Sequence, residues 1–152
     1  MSHELYFDDF EVGQVFKSKS ARVTKEEIIS YAKQYDPQYF HTDEEAAKKS
    51  AVGQLFASGW LVASISMRLK LGTAMGKVAG GLIGMGLDSL KWISQVYAND
   101  VIHVVVTITE KRVSASKPSQ GIMKYRAETF NQHDVKVCEA TAAVWVPVKL
   151  NS

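Results

Sequence analysis

Asp36 and His41, five residues apart, are the side chains in this sequence best placed to share proton-transfer work. On a continuous helix they would point about 140° away from each other at 3.6 residues per turn, so a helix cannot unite them. Pro37 supplies the alternative: it pushes Asp36 out of the α region, and the chain must leave the helix there. A folded-back turn can then bring carboxylate and imidazole together. Such a pair takes a proton from water at one group and donates one to carbon or oxygen at the other. By itself the spacing is no more than a helix stop followed by a loop histidine. Ala57-Ser58-Gly59 adds a second part, because it stands where an apolar segment begins and leaves backbone N–H groups aimed outward. Gly59 lets a ligand approach the backbone closely. A helix start favours negative charge and suits a carbonyl oxygen that becomes enolate-like. Ser58 reads equally as a helix cap and as a ligand-positioning hydroxyl.

The elements that must position these groups are legible around them. Thr24-Lys25-Glu26-Glu27 forms a capping box, so a helix starts there and runs to about Asp36, with Ile28, Ile29, Ala32 and Tyr35 at helical spacing. After a loop, Asp43 caps a short second helix through Lys49, with Glu44 and Glu45 in its first turn and Lys48 and Lys49 in its last. Residues 58–77 form a third helix, small or apolar on nearly all sides in its first half, which predicts a helix surrounded by protein. Trp60, Met67, Leu71 and Met75 are expected in the core, and the helix end frays at Gly72 and Gly76. Strands are predicted near 82–96, 101–113, 121–132 and 135–148. Their hairpin-length connections make the sheet antiparallel. A long buried helix followed by antiparallel strands describes an α+β fold, a single domain over 1–152 whose sheet wraps the helix.

Composition narrows the function. The chain has 152 residues, 46% hydrophobic and 22% charged, the profile of one globular domain with a sizeable core. Its 18 basic and 16 acidic residues are interspersed, so the net charge of +2 does not point to nucleic acid. The single cysteine, Cys138, forms no intrachain disulfide and reads as a small buried apolar residue in a reducing compartment. Glu4, Asp8, Asp9 and Glu11 stand where a secretory leader needs a basic start and an apolar run, and a cytoplasmic location is expected. Residues 60–71, the longest apolar stretch, include Ser64, Ser66, Arg68 and Lys70 and fall short of the roughly 20 apolar residues of a bilayer span. No membrane partner is expected.

Asp36-Pro37-Gln38-Tyr39-Phe40-His41-Thr42-Asp43 resembles the D-x-(N/Q)-P-x-H-x-D signature of the MaoC-like hydratases, the (R)-specific enoyl-CoA hydratase group with the hot-dog fold. Ala57-Ser58-Gly59-Trp60 resembles that family's start of the central helix, and residues 84–92 its following strand. The resemblance implies an antiparallel sheet around a long central helix and a homodimer or higher homo-oligomer. It also implies hydration or dehydration of an acyl-CoA thioester. Asp36 would activate water, His41 would handle the proton at the α-carbon, and the Gly59 N–H would hold the thioester oxygen, with Ser58 beside it. No metal or redox cofactor is implied; coenzyme A enters as part of the substrate. Tyr39 replaces the motif's proline, a change that loosens the turn between Asp36 and His41. Ile93-Ser94 and Ala98-Asn99-Asp100 replace the family's usual pattern near the next turn. A hot-dog thioesterase and a non-catalytic acyl-thioester-binding subunit are the alternatives. The former is disfavoured because residues 57–87 contain no Asp or Glu to supply a carboxylate from the central helix. A serine hydrolase built on Ser58 lacks G-x-S-x-G.

Overall fold

Four long strands at the C-terminal end of the chain make the frame on which everything else rests. In a computed structural model that describes residues 3–150, they are β3 (Ile83–Trp92), β4 (Val101–Val113), β5 (Gln120–Phe130) and β6 (Lys136–Pro147). Two short strands precede them, β1 (Val15–Lys17) and β2 (Ala21–Arg22). Among the described residues these six strands pair antiparallel, in the order β1-β4-β5-β6-β3, with β2 also on β4. Alternation along β4, and along β5 from Met123 onward, turns Ile102, Val104, Val106 and Ile108, with Met123, Tyr125 and Ala127, onto one buried face. Against that face lies α4 (Gly59–Leu71), which contributes Leu61, Val62, Ile65 and Leu69 to the same core. This is the hot-dog arrangement, a sheet around one long helix.

Three shorter helices precede α4 and pack in succession: α1 (Lys25–Tyr35), α2 (Tyr39–Thr42) and α3 (Glu44–Ala47). The Thr24 capping box forms as its residues dictate: Thr24 Oγ1 accepts from Glu27 N–H at 3.1 Å, and Thr24 N–H donates to Glu27 Oε1 at 3.2 Å. Asp43 caps α3 by accepting from Glu45 and Ala46 N–H, though the helix ends at Ala47 instead of Lys49. The expected loop before it contains α2.

Two expectations for the central helix need correction. It stops at Leu71 rather than Lys77, and Thr73 caps a separate 3₁₀ turn, Ala74–Lys77. Gly76 folds back so tightly that a Cβ there would lie 1.8 Å from the Leu71 carbonyl oxygen, a contact that only glycine permits. The helix is also not surrounded. Met75 is fully buried as expected, but Trp60, Met67 and Leu71 are 54%, 45% and 43% exposed. The sheet covers one stripe of α4, and these three occupy the opposite one. Likewise the strand expected over 82–96 ends at Trp92. Among the described residues, no helix is long and apolar enough to cross a membrane.

Candidate active site

The site begins where α1 ends. Asp36 is its C-cap, with φ −151° and ψ 66°, and its N–H still donates to the Ala32 carbonyl. Pro37 prevents another turn, and Gln38 becomes the N-cap of α2. Tyr39 occupies the first helical position, where proline is tolerated but not required. His41 N–H donates to the Gln38 carbonyl at 3.0 Å, so the turn is closed with tyrosine in place. The break and the new turn together aim His41 back at Asp36.

The imidazole is buried, with Nε2 3.4 Å from Asp36 Oδ2. Its Nδ1 lies 2.6 Å from the Phe56 carbonyl oxygen. A carbonyl only accepts, so Nδ1 carries a proton and Nε2 is the nitrogen left for chemistry. Phe40 and Phe56 stack at 5.1 Å, and each meets the imidazole edge-on with centroids 4.6 Å away. The ring is held on two sides by apolar surface and on a third by a fixed acceptor.

Asp36 is held as firmly. Gln38 Nε2 donates to Oδ1 at 2.6 Å. Burial pushes the carboxyl pKa up, but hydrogen bonds from the Ser58 hydroxyl and Gln38 and the charge of His41 outweigh it and hold the group below its ordinary value. Ser58 caps the helix as expected and also acts on Asp36. Its Oγ caps α4 by accepting from Trp60 N–H at 3.3 Å, and the same hydroxyl helps to lower the Asp36 pKa.

Gly59 opens α4, and among the described residues its N–H has no acceptor. Its carbonyl accepts from Trp92 Nε1 at 2.8 Å, and a Cβ at this position would sit 2.4 Å from the Trp92 ring. Glycine is needed here for packing as well as for any ligand. A cavity of about 190 Å³ adjoins it, lined by His41, Gly59, Trp92, Ser94 and Val137 among others. Asp36 and Ser58 stand outside its wall, with Asp36 reaching it through His41.

The four expected site residues are thus brought together, Asp36, His41 and Ser58 as one cluster and Gly59 in the wall of the cavity that His41 also lines. Sequence reasoning missed Phe56 as the acceptor for His41, Gln38 as the amide on Asp36, and Trp92. Gln38 stood within the motif, but a backbone carbonyl such as that of Phe56 leaves no signal in residue type.

Residues 9–131 match the model of the MaoC like domain. A protein of Bacillus subtilis (strain 168), YdeM, is 34% identical over 140 residues, 91% of this chain and 96% of that protein. Among solved structures, the MaoC-like dehydratase from Rhodospirillum rubrum is 37% identical, with a TM-score of 0.91 over 97% of this chain and 99% of that one. An (R)-hydratase from A. caviae is 25% identical, with a TM-score of 0.69 over 91% and 98%. The Asp36–His41 turn and the start of the central helix both fall inside the matched span, and the chain belongs to the MaoC-like family of hot-dog hydratases and dehydratases.

Proposed function

We propose that the protein interconverts trans-2-enoyl-CoA and (R)-3-hydroxyacyl-CoA by adding water across the 2,3 double bond or removing it. The observation that carries this reading is the 3.4 Å Asp36–His41 pair beside a cavity that the Gly59 amide also lines. The side chains divide the work by access. Asp36, with 18% of its side chain exposed, is open to water, whereas His41, at 5%, lines the cavity that would take the acyl group.

In the hydration direction the pair starts as carboxylate and imidazolium. Asp36 takes a proton from water as the oxygen attacks C3, and electron density moves through C2 toward the thioester oxygen. The Gly59 N–H and the positive end of the thirteen-residue α4 stabilise that charge. His41 delivers its Nε2 proton to C2. The pair is left as carboxylic acid and neutral imidazole, and one proton passed from Asp36 to His41 restores the start. Dehydration runs the same steps backwards. The proton balance closes on these two residues, with coenzyme A as part of the substrate and no metal or redox group taking part.

Asp36→Asn removes the base and keeps the shape. It should lower kcat/KM for crotonyl-CoA hydration by about 10²–10⁴ while acyl-CoA still binds. Hydration is read as loss of enone absorbance without thiol release. Thiol release from a saturated acyl-CoA would support a thioesterase instead, and an Asp36→Asn variant as active as wild type would remove the mechanism. We also propose that the protein is cytoplasmic and works as a homodimer or larger assembly.

A further inference from the structure

The proposed reaction leaves one buried ionisable group unused. Lys70 lies in the last turn of α4, where lysine ordinarily reaches water, yet it is 3% exposed and points between helix and sheet. Its ammonium donates to the Tyr125 hydroxyl on β5. One turn earlier Ser66 Oγ meets Thr129 Oγ1 at 2.7 Å and also donates to the Val62 carbonyl, so that hydroxyl pair is self-sufficient. Lys70 is not. An ammonium has three donors, and Tyr125 engages one. Among the described residues no carboxylate forms an ion pair with it, and residues 57–87 contain none. Burial alone lowers its pKa to about 8, which still leaves it mainly charged at neutral pH. Burial pushes Tyr125 up to about 12, so the phenol stays neutral and cannot balance the charge. An ammonium withdrawn from water without an anion is costly.

A cavity of about 130 Å³ lies beside it, lined by Trp60, Ser66, Lys70, Tyr125, Thr129 and Cys138 among others. Trp60 in that wall meets Trp92 of the active-site cavity edge to face, with centroids 5.1 Å apart. The two spaces are lined by neighbouring parts of α4, Gly59 and Val62 in one and Trp60 to Lys70 in the other. Gly59 and Lys70 are about 16 Å apart on the helix axis at 1.5 Å per residue. The lysine side chain leans back toward the helix start and shortens that span.

We propose that Lys70 and Tyr125 form a carboxylate-recognising end to the acyl site, so that the preferred substrate is an enoyl thioester whose acyl chain carries a second, ionised carboxyl group at its far end. The proposal rests on the hydratase reading and names its substrate class. The carboxylate provides the missing counter-ion: the free ammonium hydrogens donate to it, and Tyr125, which accepts from Lys70, donates its own proton. A plain alkyl chain would leave the ammonium facing methylene groups.

The test uses six- and eight-carbon trans-2-enoyl-CoA pairs that end in methyl or in carboxylate. Wild type should favour the carboxylate member of at least one pair by about tenfold or more in kcat/KM, the scale of one charge-assisted hydrogen bond. Lys70→Met should abolish or invert that ratio. Tyr125→Phe should reduce it, and serves on its own if Lys70→Met does not fold. A wild-type preference for the methyl member, or a ratio unchanged in the variants, overturns the proposal. If wild type hydrates no member of either series, the hydratase reading fails separately. Calorimetric binding of adipoyl-CoA against hexanoyl-CoA then decides the pocket: Lys70-dependent tightening of about tenfold supports it, and equal affinities overturn it.

Discussion

Ser58 links the start of α4 to the carboxylate of Asp36, the proposed base. Fully buried, it caps α4 and stabilises the ionised form of Asp36 at the same time. A depressed carboxyl pKa means that the base stays ionised as pH falls and is lost only when pH drops through that lowered value. The acid limb of kcat/KM for hydration should therefore lie below the usual carboxylate range. Ser58→Ala removes one of the groups holding it there, so the limb should move up toward the ordinary value, while Gln38 and His41 remain in place. A pH–rate profile of both proteins checks this, and coincident limbs would detach Ser58 from Asp36. At this scale the sequence was informative about residue type. Asp36, His41, Ser58 and Gly59 all stand where the motif put them, and the tyrosine at 39 left the turn intact because its position is the first of a helix.

The helices that deliver these residues depend on local chemistry. Thr24 and Glu27 satisfy each other's N–H at the start of α1, eleven residues before the break that carries Asp36. Thr24→Ala should cost about 1 kcal/mol, which lowers Tm by about 2–4 °C in a domain of this size, read by thermal denaturation. The end of α4 was less legible. Apolar residues continue past Leu71, and only the fold-back at Gly76 against the Leu71 carbonyl shows why the helix cannot. The short α2 was also invisible, since four residues carry too little periodicity to distinguish a helical turn from a loop.

Over the whole molecule, the stripe of α4 that the sheet leaves open continues onto β3. Met85 and Leu87 are exposed there beside Met67 and Leu71, and β3 bonds only to β6 among the described strands, leaving its other edge free. A free apolar strand edge beside an apolar helix stripe suits a second copy of the chain. Wild type should sediment at twice its 16.8 kDa or more, and Leu87→Asp should shift it to the monomer. Sedimentation of wild type as a monomer at all concentrations would remove the dimer. What the sequence determined by itself were features settled among near neighbours: the Thr24 cap, the break at Pro37, the run of strands joined by short turns, and the acid–imidazole motif. Only tertiary structure decided that Lys70 goes inside while Trp60, Met67 and Leu71 stay out, and that the Phe56 carbonyl orients His41. A helix apolar on nearly every side does not specify which stripe is covered; that depends on where a sheet built dozens of residues later packs against it.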